Sequence, residues 1–271
     1  MAVKVTTKNK IAETSSKGNQ QKWCENGIWY KLDQFGYEGL SEAIVSECLM
    51  YSVLESRENP FTYVKYHLEK IQVNNIERTG CSSANFLKEG QSIITINRLL
   101  TQLLGHPLRD ELASMSSDKK RIQYIAEETA KITGLDMFPE YLTLMFEIDA
   151  LFLNEDRHLN NIAVLEKGGE FDYCPIFDNG AALLSDTRSY PLDIDPKGLI
   201  PLVTASPFDT TFNRQVKSAQ SLYGRQLEIA EFSKEHLSKL LDKRMEYYPE
   251  RDRDLIKNRI LTVYFTRLKA M

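Results

Sequence analysis

Asn154-Glu155-Asp156-Arg157-His158-Leu159-Asn160-Asn161 is an abruptly polar and charged break in the chain. It follows the strongly apolar run Pro139–Leu153 and precedes two strand-like runs, Ile162–Glu166 and Glu170–Ile176, which flank Lys167-Gly168-Gly169. The spacing of apolar residues predicts a helix over the first run, with Pro139 in the first turn, where a missing N–H costs nothing. Leu144–Leu153 reads as its core stripe. The glycine pair predicts a tight hairpin. A turn at Gly168-Gly169 places Asn161 opposite Ile176, and Asp178 of Phe177-Asp178-Asn179-Gly180 lies two residues beyond that partner. Asn161 and Asp178 therefore emerge together at the open end of the hairpin, with Asp156 on the loop before it. Two carboxylates and an amide converge on one spot.

That set suits phosphoryl transfer. Magnesium prefers hard oxygen ligands, few of them from protein and the rest from phosphate and water. An Asp and an Asn can hold it against ATP phosphates, while a separate Asp accepts the proton of the acceptor hydroxyl. Protein kinases order these parts as an Asp, an Asn five residues later, a hairpin and a metal Asp. Here Asp156 and Asn161 are five apart, and Asp178 follows Asn161 by seventeen. Alone, Asp156 reads as a cap or a solvated loop charge; the spacing makes it the candidate base.

Upstream, Gln20–Glu25 and Ile28–Asp33 flank Asn26-Gly27, a strong hairpin signal because both turn residues must take positive φ. Lys31 in Trp29-Tyr30-Lys31-Leu32-Asp33 lies on the second strand and points to one face, within reach of α/β-phosphates. From Leu40 to Leu54 apolar residues recur at helical spacing, and Glu42 and Glu47 are candidate partners for Lys31. At ~100° per residue the two glutamates stand ~140° apart, so only one can face the strand. Val64, Tyr66 and Leu68 alternate with polar residues as in a strand, and Ser92–Ile96 reads as another. Helices are expected at Arg98–Leu104, Ser117–Lys131, Asn213–Tyr223, Ser233–Lys243 and Arg251–Lys269, with an irregular stretch over Ser185–Thr211.

The loop Asp-Arg-His-x-x-Asn, with Asp before His, resembles the catalytic loop of HipA-like and phosphoinositide-kinase-like kinases; ordinary protein kinases use His-Arg-Asp. Ser15-Ser16-Lys17-Gly18-Asn19-Gln20-Gln21-Lys22 fits Ser-x-x-Gly-x-Gln-x-Lys, similar to the phosphate loop of HipA-like kinases. The resemblance covers about residues 15–185 in motif order. It implies an α+β, two-lobed protein-kinase-like fold with a small β-rich N-lobe and a larger α-helical C-lobe. The expected division is a flexible tail or ragged first strand over 1–14, an N-lobe over 15–95 and a C-lobe over 96–271. The resemblance further implies an ATP- and Mg²⁺-dependent serine/threonine protein kinase. Asp156 would be the base, and Asn161 and Asp178 the metal ligands. Lys31, ordered by Glu42 in preference to Glu47, would grip the phosphates. Ser15, Ser16, Lys17, Gly18 and Gln20 would form the loop over them. His158 would order the catalytic loop or touch phosphate; with no Cys or second His near it, a metal-ligand role has less support. In this family the loop serine can itself be phosphorylated, which places autophosphorylation at Ser15. One departure weakens the expectation of an antitoxin-type partner: only fourteen residues precede Ser15, where HipA toxins carry a further subdomain.

Composition narrows the alternatives. The 271-residue chain has a net charge of −4, which argues against a basic nucleic-acid binder. No apolar run approaches a membrane span, and the polar start carries no secretory signal. Cys24, Cys48, Cys81 and Cys174 form no CxxC pair, so neither a zinc ribbon nor a disulfide framework is indicated, and the reducing cytoplasm is the expected setting. A small-molecule or lipid kinase would share every residue named above. A polyanionic headgroup is disfavoured because Ser185–Thr211 holds only Arg188 and Lys197 as cations. A nucleotide-holding module without turnover is the other alternative, opposed by the intact Asp156, Asn161 and Asp178.

Overall fold

The computed structural model describes residues 3–14, 20–230 and 232–271. In chain order the elements are β1 (Val3–Thr6), α1 (Lys8–Thr14), β2 (Lys22–Glu25), β3 (Ile28–Leu32), α2 (Glu38–Leu49), β4 (His67–Val73), β5 (Ile76–Ala84), β6 (Ser92–Thr95), α3 (Ile96–Leu104), α4 (Leu108–Ser114), α5 (Asp118–Thr133), α6 (Phe138–Phe152), β7 (Ala163–Lys167), β8 (Glu170–Tyr173), α7 (Pro196–Leu199), α8 (Phe212–Tyr223), α9 (Lys234–Met245) and α10 (Glu250–Leu268). The chain is α+β, with a sheet-rich first lobe and a helical second lobe.

The first lobe is a five-stranded sheet in the order β1-β4-β5-β3-β2. The β2–β3 turn has Asn26 at φ 52° and Gly27 at φ 75°, so the local sequence dictates the hairpin. Asn74 at φ 47° and Asn75 at φ 66° turn β4 into β5 in the same way. Helix α2 packs on β4 and β5. Its approach is close because both contact points are glycine. A Cβ on Gly39 would lie 2.7 Å from the Gly80 carbonyl carbon, and one on Gly80 would lie 2.1 Å from the Lys31 carbonyl oxygen. That contact seats the start of α2 on β5, beside the β3 residues Lys31 and Leu32.

The first residues, read as a flexible tail or a ragged first strand, contain β1, paired in parallel with β4, and α1, which packs on β2. Two expectations need correction. The strand expected over 64–68 begins only at His67; Tyr63 instead makes a parallel bridge with Ile176 in the second lobe. Val64 and Tyr66 alternate because they face the core, not because they join the sheet. β6, expected with the first-lobe strands, belongs instead to a separate sheet of order β6-β7-β8.

In the second lobe, caps delimit the helices. Thr95 and Ser117 accept the N-terminal amides of Arg98 and Lys120, and Gly105 and Gly134 close α3 and α5 at φ 72° and 73°. α6 is buried along nearly its whole length and forms the axis against which α5, α8 and α10 pack. The β7–β8 register pairs Val164 with Tyr173 and Lys167 with Glu170 around the Gly168-Gly169 turn. The catalytic-type loop thus leaves the C-terminal end of a rigid helix and enters a pinned hairpin.

Candidate active site

Lys31 is the centre of the interlobe contact. Its Nζ donates to Glu42 Oε1 at 2.5 Å and to Asp178 Oδ1 at 2.6 Å. The Lys31 side chain is 10% exposed, Glu42 0% and Asp178 24%. Burial opposes the ammonium form, but the Asp178 and Glu42 carboxylates outweigh it and raise the Lys31 pKa well above its usual value. Burial raises Glu42, opposed by Lys31. For Asp178 burial is also the largest single influence. Lys31, Lys22 and Arg157 together exceed it and hold the carboxyl well below the usual range. Asp178 is therefore an ionised oxygen donor at any physiological pH. The second Glu42 oxygen accepts the Asn179 N–H at 2.8 Å, so one glutamate orders both Lys31 and the backbone beyond Asp178. Glu47 is elsewhere, paired with Arg244.

Arg157 builds the loop from inside. Its guanidinium is fully buried against Asp149 on α6, with Nε 3.0 Å from Oδ2. It also donates to the carbonyls of Asn161 and Phe177 and to Asn179 Oδ1. One side chain thus ties the helix end, the Asp156–Asn161 loop and the Asp178 loop together. Asn161 Nδ2 donates to the Asp156 carbonyl at 2.9 Å, closing the five-residue turn. His158 Nε2 stands 3.7 Å from Asp156 Oδ1. Partial desolvation by the loop around it raises the Asp156 pKa, opposed by His158 and reinforced by Asp178.

The backbone around the site is strained at non-glycine positions. Leu153, Asp178, Leu183 and Leu184 take φ of 54°, 63°, 60° and 58°. Left-handed conformations of this kind persist where the surroundings over-determine them. Here the Leu183 N–H donates to the Phe152 carbonyl and the Tyr37 hydroxyl donates to the Leu183 carbonyl. The Asp178 loop is therefore clamped between α6 of one lobe and the start of α2 of the other.

The chemistry of these donors fits a magnesium ion shared with phosphate. Among the described residues no three His, Cys, Asp or Glu side chains cluster as a metal cage. Asn161 and Asp178 offer hard oxygens, which match a cation that draws its remaining ligands from phosphate and water. Lys31 and Lys22 supply the positive charge opposite.

No protein-family model matches the chain, and no curated protein matches it. Among solved structures, a proinflammatory kinase of Helicobacter pylori, CtkA, aligns over 99% of this chain and 94% of its own, with TM-score 0.62 at 16% identity. HipA, in a HipA–HipB–operator DNA complex of Shewanella oneidensis, aligns over 94% of this chain and 65% of its own, with TM-score 0.49 at 13% identity. The chain has a kinase-like fold. That is the fold which the HipA-like motifs imply.

Of the remaining sequence candidates, Ser15, Ser16, Lys17 and Gly18 lie outside the described residues. Gln20 Nε2 donates to the Leu32 carbonyl at 3.0 Å, tying the end of that segment to β3. Sequence reasoning missed two features. Lys22, quoted only as the end of a motif, stands opposite Lys31 in the ladder. Phe86 and Phe177, with ring centroids 6.0 Å apart, bridge two small apolar clusters: Val64, Tyr66 and Cys81 from one lobe, and Ala163, Leu165 and Cys174 from the other. The hairpin register about Asn26-Gly27, which pairs Lys22 with Lys31, was the available signal for Lys22; the aromatic pair is assembled only by the fold. A groove of about 1020 Å³ between residues 192–197 and α10 contains none of these groups.

Proposed function

We propose that the protein is an ATP- and Mg²⁺-dependent kinase that transfers the γ-phosphate to a Ser or Thr hydroxyl of a protein. The observation that carries the reading is Lys31 held between Glu42 and Asp178 while Asp156 and Asn161 share the adjoining loop. Asp156 orients the acceptor hydroxyl and takes its proton as the oxygen bonds to the γ-phosphorus and the bond to the β-phosphate oxygen breaks, releasing ADP. Asn161 and Asp178 hold magnesium, which neutralises phosphate charge when bound. Lys31 and Lys22 contact the phosphates, and His158 stands beside Asp156 to order the loop or meet phosphate. Phe86 and Phe177, apolar and aromatic at the junction of the lobes, would hold the adenine ring. Catalysis of this kind is mostly positioning and charge neutralisation. The resemblance assigns Ser15, Ser16, Lys17, Gly18 and Gln20 to the phosphate loop, with Ser15 the candidate site of self-phosphorylation.

A protein acceptor is favoured over a lipid headgroup by the segment after Asp178. Of its two cations, Arg188 is paired with Asp186 and stacked on Phe35 at 3.2 Å. Incubation with Mg²⁺ and labelled ATP, followed by mass spectrometry of the chain and of candidate proteins, tests the reading. Phosphoserine or phosphothreonine that disappears in Asp156→Asn supports it; no transfer to any protein with the nucleotide bound contradicts it.

A further inference from the structure

Glu155, next to Asp156, is held at both its side chain and its backbone by one segment. The Tyr190 hydroxyl donates to Glu155 Oε2 at 2.6 Å, and the Ser206 hydroxyl donates to the Glu155 carbonyl at 2.6 Å. Burial raises the Glu155 carboxyl, opposed by the Tyr190 hydrogen bond. The nearby Asp186 carboxylate is already engaged by the amides of Arg188 and Ser189 and by the Ser189 hydroxyl.

The segment that grips Glu155 is itself fixed from two directions. Toward the first lobe, the Tyr37 N–H donates to the Ser185 carbonyl, and Thr187 donates through its N–H and hydroxyl to the Phe35 carbonyl. Toward the second, the buried Arg259 of α10 donates to the carbonyls of Leu184, Tyr190 and Pro191. Tyr190 therefore projects from a braced backbone, and a hydrogen bond to a carboxylate from such a donor is strong and directional.

We propose that Glu155 is a positioning residue: the Tyr190–Glu155 contact, with Ser206 on the adjacent carbonyl, fixes the loop that carries Asp156 to the braced segment 184–206. This rests on the kinase reading. Displacement of a reacting group by about 1 Å costs on the order of 10²-fold in rate, so the contact acts on turnover rather than on nucleotide binding.

The test compares Tyr190→Phe, Glu155→Ala and Glu155→Gln for kcat, KM for ATP, melting temperature and amide exchange over 154–161. Tyr190→Phe and Glu155→Ala are expected to lower kcat by roughly ten- to a hundredfold at unchanged KM for ATP, with faster exchange in the loop. The double variant should fall no further than the singles, since both remove one contact. Glu155→Gln keeps an acceptor oxygen and should stay within about threefold of wild type. Unchanged kcat in Tyr190→Phe overturns the proposal, as does a loss of melting temperature and ATP affinity in step with kcat. If the wild-type chain transfers no phosphate, the kinase reading falls by itself; the exchange arm then decides the contact, and unchanged exchange in Tyr190→Phe overturns it.

Discussion

Lys22 stands directly opposite Lys31 across the β2–β3 ladder, so two ammonium groups share one face of the sheet on the side of Asp178. Like charges facing each other across an antiparallel pair destabilise it, by about 0.2–1 kcal/mol. An arrangement of this kind makes sense where an anion sits between them. Asp178 supplies one negative charge, and the phosphates of a nucleotide would supply more. Lys22→Gln is expected to leave the ligand-free protein as stable as wild type or slightly more so, while weakening Mg·ATP binding about tenfold. Melting curves with and without nucleotide, together with calorimetric titration, check both halves. A variant that loses stability and keeps its ATP affinity would assign Lys22 to the sheet alone.

Mg·ATP should stabilise the intact chain. A ligand at ~100 times its Kd contributes about 2.7 kcal/mol, which for a chain of this size is roughly 5–10 °C in Tm. Asp178→Ala should abolish most of the magnesium-dependent part of that shift. Lys31 remains paired with Glu42 in this variant, so a Mg²⁺-independent part should survive. Thermal shifts with ATP, with and without excess chelator, separate the two.

Asp156 can be probed with little cost to the fold, because its side chain is 58% exposed and surface substitutions usually stay within about 0.5 kcal/mol. Asp156→Asn should keep Mg·ATP affinity and lower turnover by roughly 10²–10⁴, the range of a positioned general base. Single-turnover transfer beside a nucleotide titration makes the measurement. Normal turnover would remove Asp156 as the base; lost nucleotide affinity would move it to the phosphate site.

What was legible in advance follows the range of the interaction. The hairpins at Asn26-Gly27 and Gly168-Gly169 were legible because the turn residues carry the positive φ themselves. The loop spacing from Asp156 to Asp178 was legible for the same reason, since a local hairpin joins its parts. Leucine gives no local sign of left-handed backbone, so Leu153, Leu183 and Leu184 were invisible; long-range hydrogen bonds impose their conformation. β6 read correctly as a strand but not as a partner of β7, because a strand's own residues do not name its neighbour. Arg157 reads as a residue that orders the loop or a neighbouring acidic group, but nothing local to the polar loop marks it as buried. The clue to its burial was Asp149, an acid inside the apolar run of α6 that needs a cation.

That pair should behave as a buried ion pair. Arg157 and Asp149 are 0% and 1% exposed. Removing one partner of such a pair leaves an uncompensated buried charge and costs about 3–5 kcal/mol. Arg157→Met should lower stability by that amount and lose turnover with it, since the carbonyls of Asn161 and Phe177 lose their donor. Asp149→Asn keeps an acceptor oxygen but leaves the Arg157 charge, which cannot be shed, without its counterion, and should fall in the same range. Urea unfolding of the two variants measures both losses, and small losses in both would show that the guanidinium is solvated.

Asp33 predicts a pH dependence of stability. Its Oδ1 accepts the Gly39 N–H at 2.5 Å and its Oδ2 accepts the Tyr248 hydroxyl at 2.9 Å, a contact between the first lobe and the turn before α10. Burial, reinforced by Glu38, raises the carboxyl to about 7. In the unfolded chain the value is about 3.9. Between those two pH values the folded chain keeps a proton that the unfolded chain has released, so stability falls as pH rises through the window. The contribution is fully present below about pH 4 and gone above about pH 7. Three full units would correspond to ~4 kcal/mol; solvent reaches part of the residue, and on the order of 2 kcal/mol is expected. Asp33→Asn keeps an acceptor for Gly39 and does not titrate. Its stability relative to wild type should therefore rise between pH 5 and pH 8 by that amount, and the difference cancels the other carboxyls. Urea unfolding at pH 5, 6, 7 and 8 measures it, and a difference constant across the range would mean that Asp33 is already ionised in the folded chain at pH 5.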